Sequence, residues 1–358
     1  MNSPKVAIDA RLAFGSSTGD TSYWTGLIRG LGRIEHGLDL LLFSNAERPA
    51  EIPESMRWVR VEARSGRWWS LFAFPNAAMG EGADVIHTQY NLSPLVKKGG
   101  VTTIHDVSFF IGPDWFRPKD RWLLQRGVPR SAKQAARVIT VSETSRGEIE
   151  RYIPDAKGKV AVTPLACPDS VVAVPREEAA RHLAQELGLT SPFLLSVGTL
   201  WPRKNARLAI EAASLLDPAL PHKLVLTGKA GWGELGESDR VVRTGFVSEH
   251  SLNCLYSAAE LYVCPSLHEG FGLPVLEAFR CGCPVVCSTG GALPEVAGDA
   301  AMIVPGWDPR EWADAIQGLL ADSGKMASMR ELGRRREREF SWEATARLTA
   351  AVYREVAE

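Results

Sequence analysis

The chain contains no apolar run approaching the roughly 20 residues that a membrane span requires. Its first residues, MNSPKVAIDARLAF, lack the apolar stretch of a signal peptide. Both absences lead us to expect a cytoplasmic protein. Net charge is missing too: 41 basic residues stand against 42 acidic ones, so nothing favours nucleic acid or a strongly charged partner. Cysteine is absent before Cys167, and the six present (Cys167, Cys254, Cys264, Cys281, Cys283, Cys287) never show C-x-x-C spacing. Buried reduced thiols are expected of them, not a metal site. No D-x-D string stands at a strand end, so neither a divalent metal nor another cofactor is expected. Beyond two similar halves, no repeat of about 20–50 residues is visible.

What the chain does have is alternation. Its 358 residues are many for one core and suggest two domains. Short apolar runs read as strands at Lys5–Ala10, Leu38–Phe43, Trp58–Val61, Asp84–His87, Val101–His105, Arg137–Val141 and Lys159–Thr163. Helical spacing fills Ser22 to about Ile34, Asp120–Gln134 and Glu143–Tyr152. TPLACPDSVVAVPREE, rich in proline and without period, reads as a linker. The pattern then restarts with strands Phe193–Val197, Lys223–Thr227 and Glu260–Cys264, and surface helices cover Asp308–Leu320 and Met326–Glu339. A last helical stretch, Trp342–Val356, carries Trp, Leu and Tyr anchors. The fold class is α/β: two doubly wound domains with mainly parallel sheets, residues 1–168 and 169–341, and the ligand expected in the cleft between them.

Most of the chemistry gathers in CPSLHEGFGLPVLEAFRCGCPVVC, Cys264–Cys287, which reads as strand, loop, helix, strand. Gly270 and Gly272 flank Phe271 and let the backbone approach a ligand. Pro274 suits the first helical position, and Gly282 and Pro284 end the helix. Glu269 then lies in the loop and Glu277 in the first turn. The N–H groups from about Leu273 make an anion site with a carboxylate on either side, suited to a diphosphate with a sugar at each end. Taken singly, each glutamate reads as readily as a solvated acid or a dipole partner. Arg203 and Lys204 follow a strand's carboxyl end, where open α/β sheets hold ligands. They would neutralise a diphosphate, or simply be solvated. The loop GKAGWGELG fails the Walker pattern and reads as a connection near a nucleotide. In the first half, Gly15 and Gly19 in GSSTG suit a phosphate-approaching turn or a plain βα turn. Trp68, Trp69, Leu71, Phe72 and Phe74 crowd together, as a core-packed helix, an acceptor wall or a membrane-facing patch. His87 and His105 each end an expected strand; a structural role suits His87 best.

The full string E-G-F-G-L-P-V-L-E, preceded by P-S and followed by A-F-x-x-G-x-P-V-V, closely resembles the signature of retaining GT-B glycosyltransferases of family 4. The likeness covers nearly the whole chain, strongest from Leu194 to Pro305 and weaker before Ala83. It implies two Rossmann-like domains, the first for acceptor and the second for donor, with a final helix (342–358) crossing back to the first. By this resemblance Glu269 meets the donor sugar's hydroxyls and Glu277 the nucleotide ribose. Arg203 and Lys204 bind the donor phosphates, and His105 contacts the sugar near its reacting carbon. Gly19 belongs to a glycine loop facing the phosphates. Gly198, Thr199, Val247, Gly270, Phe271, Gly272 and Leu273 border the donor, and Glu295 looks structural. Two departures stand out: Thr199 stands where the family commonly has Arg, and D-T-S-Y-W follows Gly19 where many relatives carry an Arg.

The implied reaction moves a hexose from a nucleotide diphosphate sugar, GDP-mannose as first guess, to a hydroxyl of a glycan or lipid-linked acceptor. The anomeric configuration is retained and no metal is needed. Arg203, Lys204 and helix amides would stabilise the departing charge, while a leaving-group phosphate oxygen takes the acceptor's proton. Glu269 as covalent nucleophile stays open. Peripheral contact with the inner membrane face and a monomer or weak dimer complete the expectation. The alternatives are a non-catalytic sugar-nucleotide-binding scaffold and another GT-B enzyme. E-G-F-G-L-P argues against an epimerase, and a phosphorylase needs a pyridoxal lysine and a longer chain.

Overall fold

The structure, a computed structural model, describes residues 3–15, 19–232, 236 and 238–358. Residues 16–18 of the first glycine turn, and residues 233–235 and 237 of and just after the second glycine-rich loop, lie outside the described residues. The chain forms two compact units, Met1–Ala166 with Ser341–Glu358, and Cys167–Phe340.

The sheet of the first unit contains β1 (Lys5–Asp9), β2 (Asp39–Ser44), β3 (Arg57–Arg60), β4 (Val85–Gln89), β5 (Gly100–Thr103), β6 (Arg137–Thr140) and β7 (Val160–Val162). Their order is β3-β2-β1-β4-β5-β6-β7, and every pairing is parallel. Such strands are covered on both faces, which is why Val6, Ala7 and Ile8 form a continuous buried run rather than an alternating one. The winding reverses between β1 and β4, so the carboxyl ends of these two strands mark the topological switch point.

The second unit repeats the plan with β8 (Phe193–Val197), β9 (Lys223–Thr227), β10 (Val241–Gly245), β11 (Leu261–Cys264), β12 (Val285–Ser288) and β13 (Ala301–Val304), in the order β10-β9-β8-β11-β12-β13. These pairings too are parallel, and the switch point lies between β8 and β11. The core of this unit packs Leu194, Leu226 and Val263 against Trp312 and Ile316 of helix Pro309–Leu320.

The last helix, Trp342–Ala357, belongs to the first unit and lies against helix Gly19–Gly32. Two glycines make that approach possible. A Cβ at Gly26 would sit 2.2 Å from the Trp342 ring, and one at Gly30 2.4 Å from the Trp342 carbonyl oxygen.

Several elements differ from expectation. Helix Arg176–Leu187 takes over the end of the expected linker and stops at Gly188, whose φ of 65° is left-handed. Strand β4 runs on past His87, which therefore sits mid-strand, and β5 stops at Thr103, two residues short of His105. The Trp68–Phe74 stretch is two-faced: Trp69 and Phe74 are core, while Trp68, Leu71 and Phe72 are partly exposed around a π-helical turn at Trp69–Ala73. No helix among the described residues is long and apolar enough to cross a membrane.

Candidate active site

At the second switch point, two loops are stitched together. After β8 the chain turns at Gly198, whose φ of 136° disfavours any side chain, and Gly228 packs on its carbonyl. It then makes a single 3-10 turn, Pro202–Lys204, ended by left-handed Asn205. After β11 the loop returns alongside, and Leu267 N–H donates to the Arg203 carbonyl at 2.8 Å. Ala292 N–H donates to the Glu269 carbonyl at 2.9 Å. Gly291 is needed there, because a Cβ would stand 2.3 Å from that carbonyl oxygen.

This stitching buries three charges together. Lys204 Nζ donates to Glu269 Oε1 at 2.6 Å, and Arg203 Nη1 donates to Glu269 Oε2 at 2.9 Å. The side chains of Glu269, Arg203 and Lys204 are 8%, 15% and 19% exposed. Burial alone would push the Glu269 carboxyl up, but Lys204 and then Arg203 outweigh it and hold the group well below the usual carboxylate range. Two cations against one anion leave the trio with a net positive charge.

Glu277 does not lie in the first helical turn. The helix begins at Leu273 behind Gly272 (φ 99°), one residue earlier than the proline suggested, so Pro274 is second and Glu277 fifth. Its Oε2 accepts from the Tyr256 hydroxyl at 2.7 Å. Burial pushes Glu277 up, with the Tyr256 bond, Lys204 and Arg280 opposing. Tyr256 was not singled out in the sequence; nothing but its helical spacing marks it. Phe271 is buried edge-on to Phe340, ring centroids 5.7 Å apart, and Leu273 is buried as well. Thr199 and Val247 are half-buried, while Phe246 is exposed beneath Lys229, 5.6 Å from its ring. The Glu295 carbonyl accepts from Arg336 Nη2 at 2.6 Å.

In the first unit, Asp20, the second residue of helix Gly19–Gly32, and His105, two residues past β5, come within 4.0 Å. His105 Nε2 is buried without a hydrogen-bond partner among the described residues. Burial lowers its pKa, and Asp20 and Asp106 pull the other way. Asp20 is aimed by Gln89 Nε2, which donates to it at 2.6 Å, and Gln89 is held in turn by the Trp24 indole at 2.7 Å. An acid directly after the glycine turn was the available signal for Asp20. Gly19 itself begins the helix and is exposed, and a Cβ there would meet nothing within 4 Å. His87 is fully buried between the Tyr353 hydroxyl (2.6 Å) and Thr103 Oγ1 (2.8 Å), and burial pushes its pKa down to about 3. It is a structural histidine.

Residues 19–168 match the family model for Glycosyltransferase Family 4, and residues 191–322 that for Glycosyl transferases group 1. The O-antigen chain mannosyltransferase B of Escherichia coli is 36% identical over 270 residues, which is 71% of this chain and 70% of that protein. Sucrose-phosphate synthase from Thermosynechococcus elongatus superposes with a TM-score of 0.75 at 22% identity, covering 98% of both chains. HepE of Anabaena, in a crystal structure with UDP-glucose, gives 0.69 at 19% identity, over 97% of this chain and 98% of that one. Two doubly wound parallel sheets in one chain, with these neighbours, define an enzyme of the GT-B glycosyltransferase class. Within that class the chain belongs to glycosyltransferase family 4, group 1.

Proposed function

We propose that this glycosyltransferase moves mannose, with retention, from GDP-mannose to a hydroxyl of a glycan or lipid-linked acceptor. The observation that carries the reading is the buried, net-positive Arg203–Lys204–Glu269 trio at the carboxyl ends of β8 and β11. Open α/β sheets hold ligands at such a point, and two cations side by side there suit a diphosphate. The mannosyltransferase relative supports the choice of sugar.

In this reading the second unit binds the donor and the first the acceptor. The anomeric C–O bond breaks and its electron pair leaves on the diphosphate. Arg203, Lys204 and the amides of the Leu273–Arg280 helix stabilise that charge, and a phosphate oxygen takes the acceptor's proton as the acceptor oxygen bonds the same face. Ionised Glu269 accepts hydrogen bonds from the sugar's hydroxyls; its low pKa is ill suited to a general acid. Glu277 takes the ribose hydroxyls, and neutral His105 meets the sugar. No metal or other cofactor takes part in the sugar transfer. The enzyme acts as a monomer or weak dimer, and Trp68, Leu71 and Phe72 meet the membrane when the acceptor is lipid-linked.

The test is GDP release from GDP-mannose, with the product anomer read by NMR and the mannose acceptor offered free and on vesicles. We expect retention, stimulation by the vesicle-borne acceptor, and a kcat about 10²–10³-fold lower in Lys204→Ala. Absence of turnover with any acceptor, or an unaltered rate in Lys204→Ala, would overturn the reading. Equal rates on free and vesicle-borne acceptor would remove the membrane contact alone.

A further inference from the structure

Away from the trio, the second unit brings two imidazoles and a thiol together. His250 and Cys254 stand one turn apart on helix Glu249–Ala258, so they share a face. His182 reaches them from the neighbouring helix Arg176–Leu187. One donor atom from each of the three lies within 4.8 Å of the others. We propose that His182, His250 and Cys254 bind a soft divalent metal, Zn2+ first, as a clasp between these two helices.

Geometry is the first support. With Zn–N near 2.0–2.1 Å and Zn–S near 2.3 Å, a tetrahedral ion needs its donor atoms about 3.3–3.6 Å apart. Cys254 Sγ and His250 Nε2 already stand at 3.7 Å, and the rings of His182 and His250 lie 4.6 Å apart. His182 also has a polar neighbour on helix Glu249–Ala258: its Nε2 lies 2.9 Å from Ser251 Oγ, to which Ser248 Oγ donates at 3.0 Å. Outer partners of this kind fix the ring of a ligating histidine.

Chemistry is the second. Two imidazoles and one thiolate favour zinc and similar soft ions over magnesium or calcium. Cys254 brings a buried thiol, S–H, to the cluster. Binding forms the metal–sulfur bond and releases that proton to water. His250 is exposed, which gives the ion a way in and leaves a fourth position for water. The same helix carries Tyr256, which holds Glu277, but the clasp itself includes none of the proposed donor-binding side chains.

The experiment titrates the tag-free, reduced, full-length chain with Co2+ alone. We expect one equivalent to bind, with a thiolate-to-cobalt charge-transfer band and tetrahedral visible bands, all abolished by Zn2+. Added Zn2+ should raise the thermal midpoint, because it binds only the folded state. Cys254→Ser should lose the charge-transfer band. Exposed His250→Gln, which leaves the core intact, should lose more affinity than the 10- to 100-fold typical of an outer partner. No charge-transfer band, or a band that persists undiminished in His250→Gln, would overturn the proposal. Should Cys254→Ser fail to fold, His250→Gln decides it.

Discussion

Glu269 and Glu277 are the same side chain with their acidities shifted in opposite directions. Glu269 is kept ionised by two cations, whereas burial makes Glu277 easier to protonate. Removing one partner of a buried ion pair leaves uncompensated charge and costs about 3–5 kcal/mol. Glu269→Gln leaves Arg203 and Lys204 facing each other, so we predict a loss near the lower end of that range, about 3 kcal/mol, in thermal or urea unfolding. His87 gives a pH prediction. Its folded value is depressed to about 3, against about 6.5 unfolded. The unfolded chain therefore takes up a proton first on acidification. The contribution of His87 is complete above about pH 6.5 and is lost as pH falls toward the folded value. His87→Gln should flatten the stability profile in that window; an unchanged acid limb would show that other groups set it.

At the scale of elements, close approach decides sign. Replacing a helical glycine by alanine ordinarily gains about 1 kcal/mol. Gly30 should reverse that, because the new Cβ meets backbone atoms of Trp342 at 2.4 and 2.8 Å that cannot yield cheaply. Overpacking of this kind costs about 1–3 kcal/mol. Gly147, in helix Glu143–Tyr152, has nothing within 4 Å of its would-be Cβ and serves as the control. We predict that Gly30→Ala lowers the melting temperature and Gly147→Ala raises it; a rise in both would contradict the packing argument. The same scale explains what could be read in advance. Strands β8 and β9 were legible to the residue, since each is a short apolar run that breaks off at a glycine, Gly198 or Gly228. Strand β10 was not, because VVRTG is a half-exposed edge without alternation. Helix Arg176–Leu187 hid behind Pro175, with only Ala179 and Leu183 buried.

Across the whole molecule, what stayed hidden was tertiary. The chain marks Arg203, Lys204 and Glu269 as candidates, yet nothing local shows that residues 65 and 66 apart in sequence meet as one trio. Asp20 facing His105, and Tyr256 holding Glu277, are likewise products of the sheet order rather than of any motif. Family membership identifies a glycosyltransferase, and the switch points say where to look for its ligand. The central claim is that the trio holds the donor's diphosphate. Calorimetric titration with GDP, without added metal, of the wild-type chain and Lys204→Ala tests it most directly. A lost charge-assisted contact of about 1.5–3 kcal/mol predicts that the variant binds roughly 10- to 100-fold more weakly. Equal affinity in the two proteins would contradict the account.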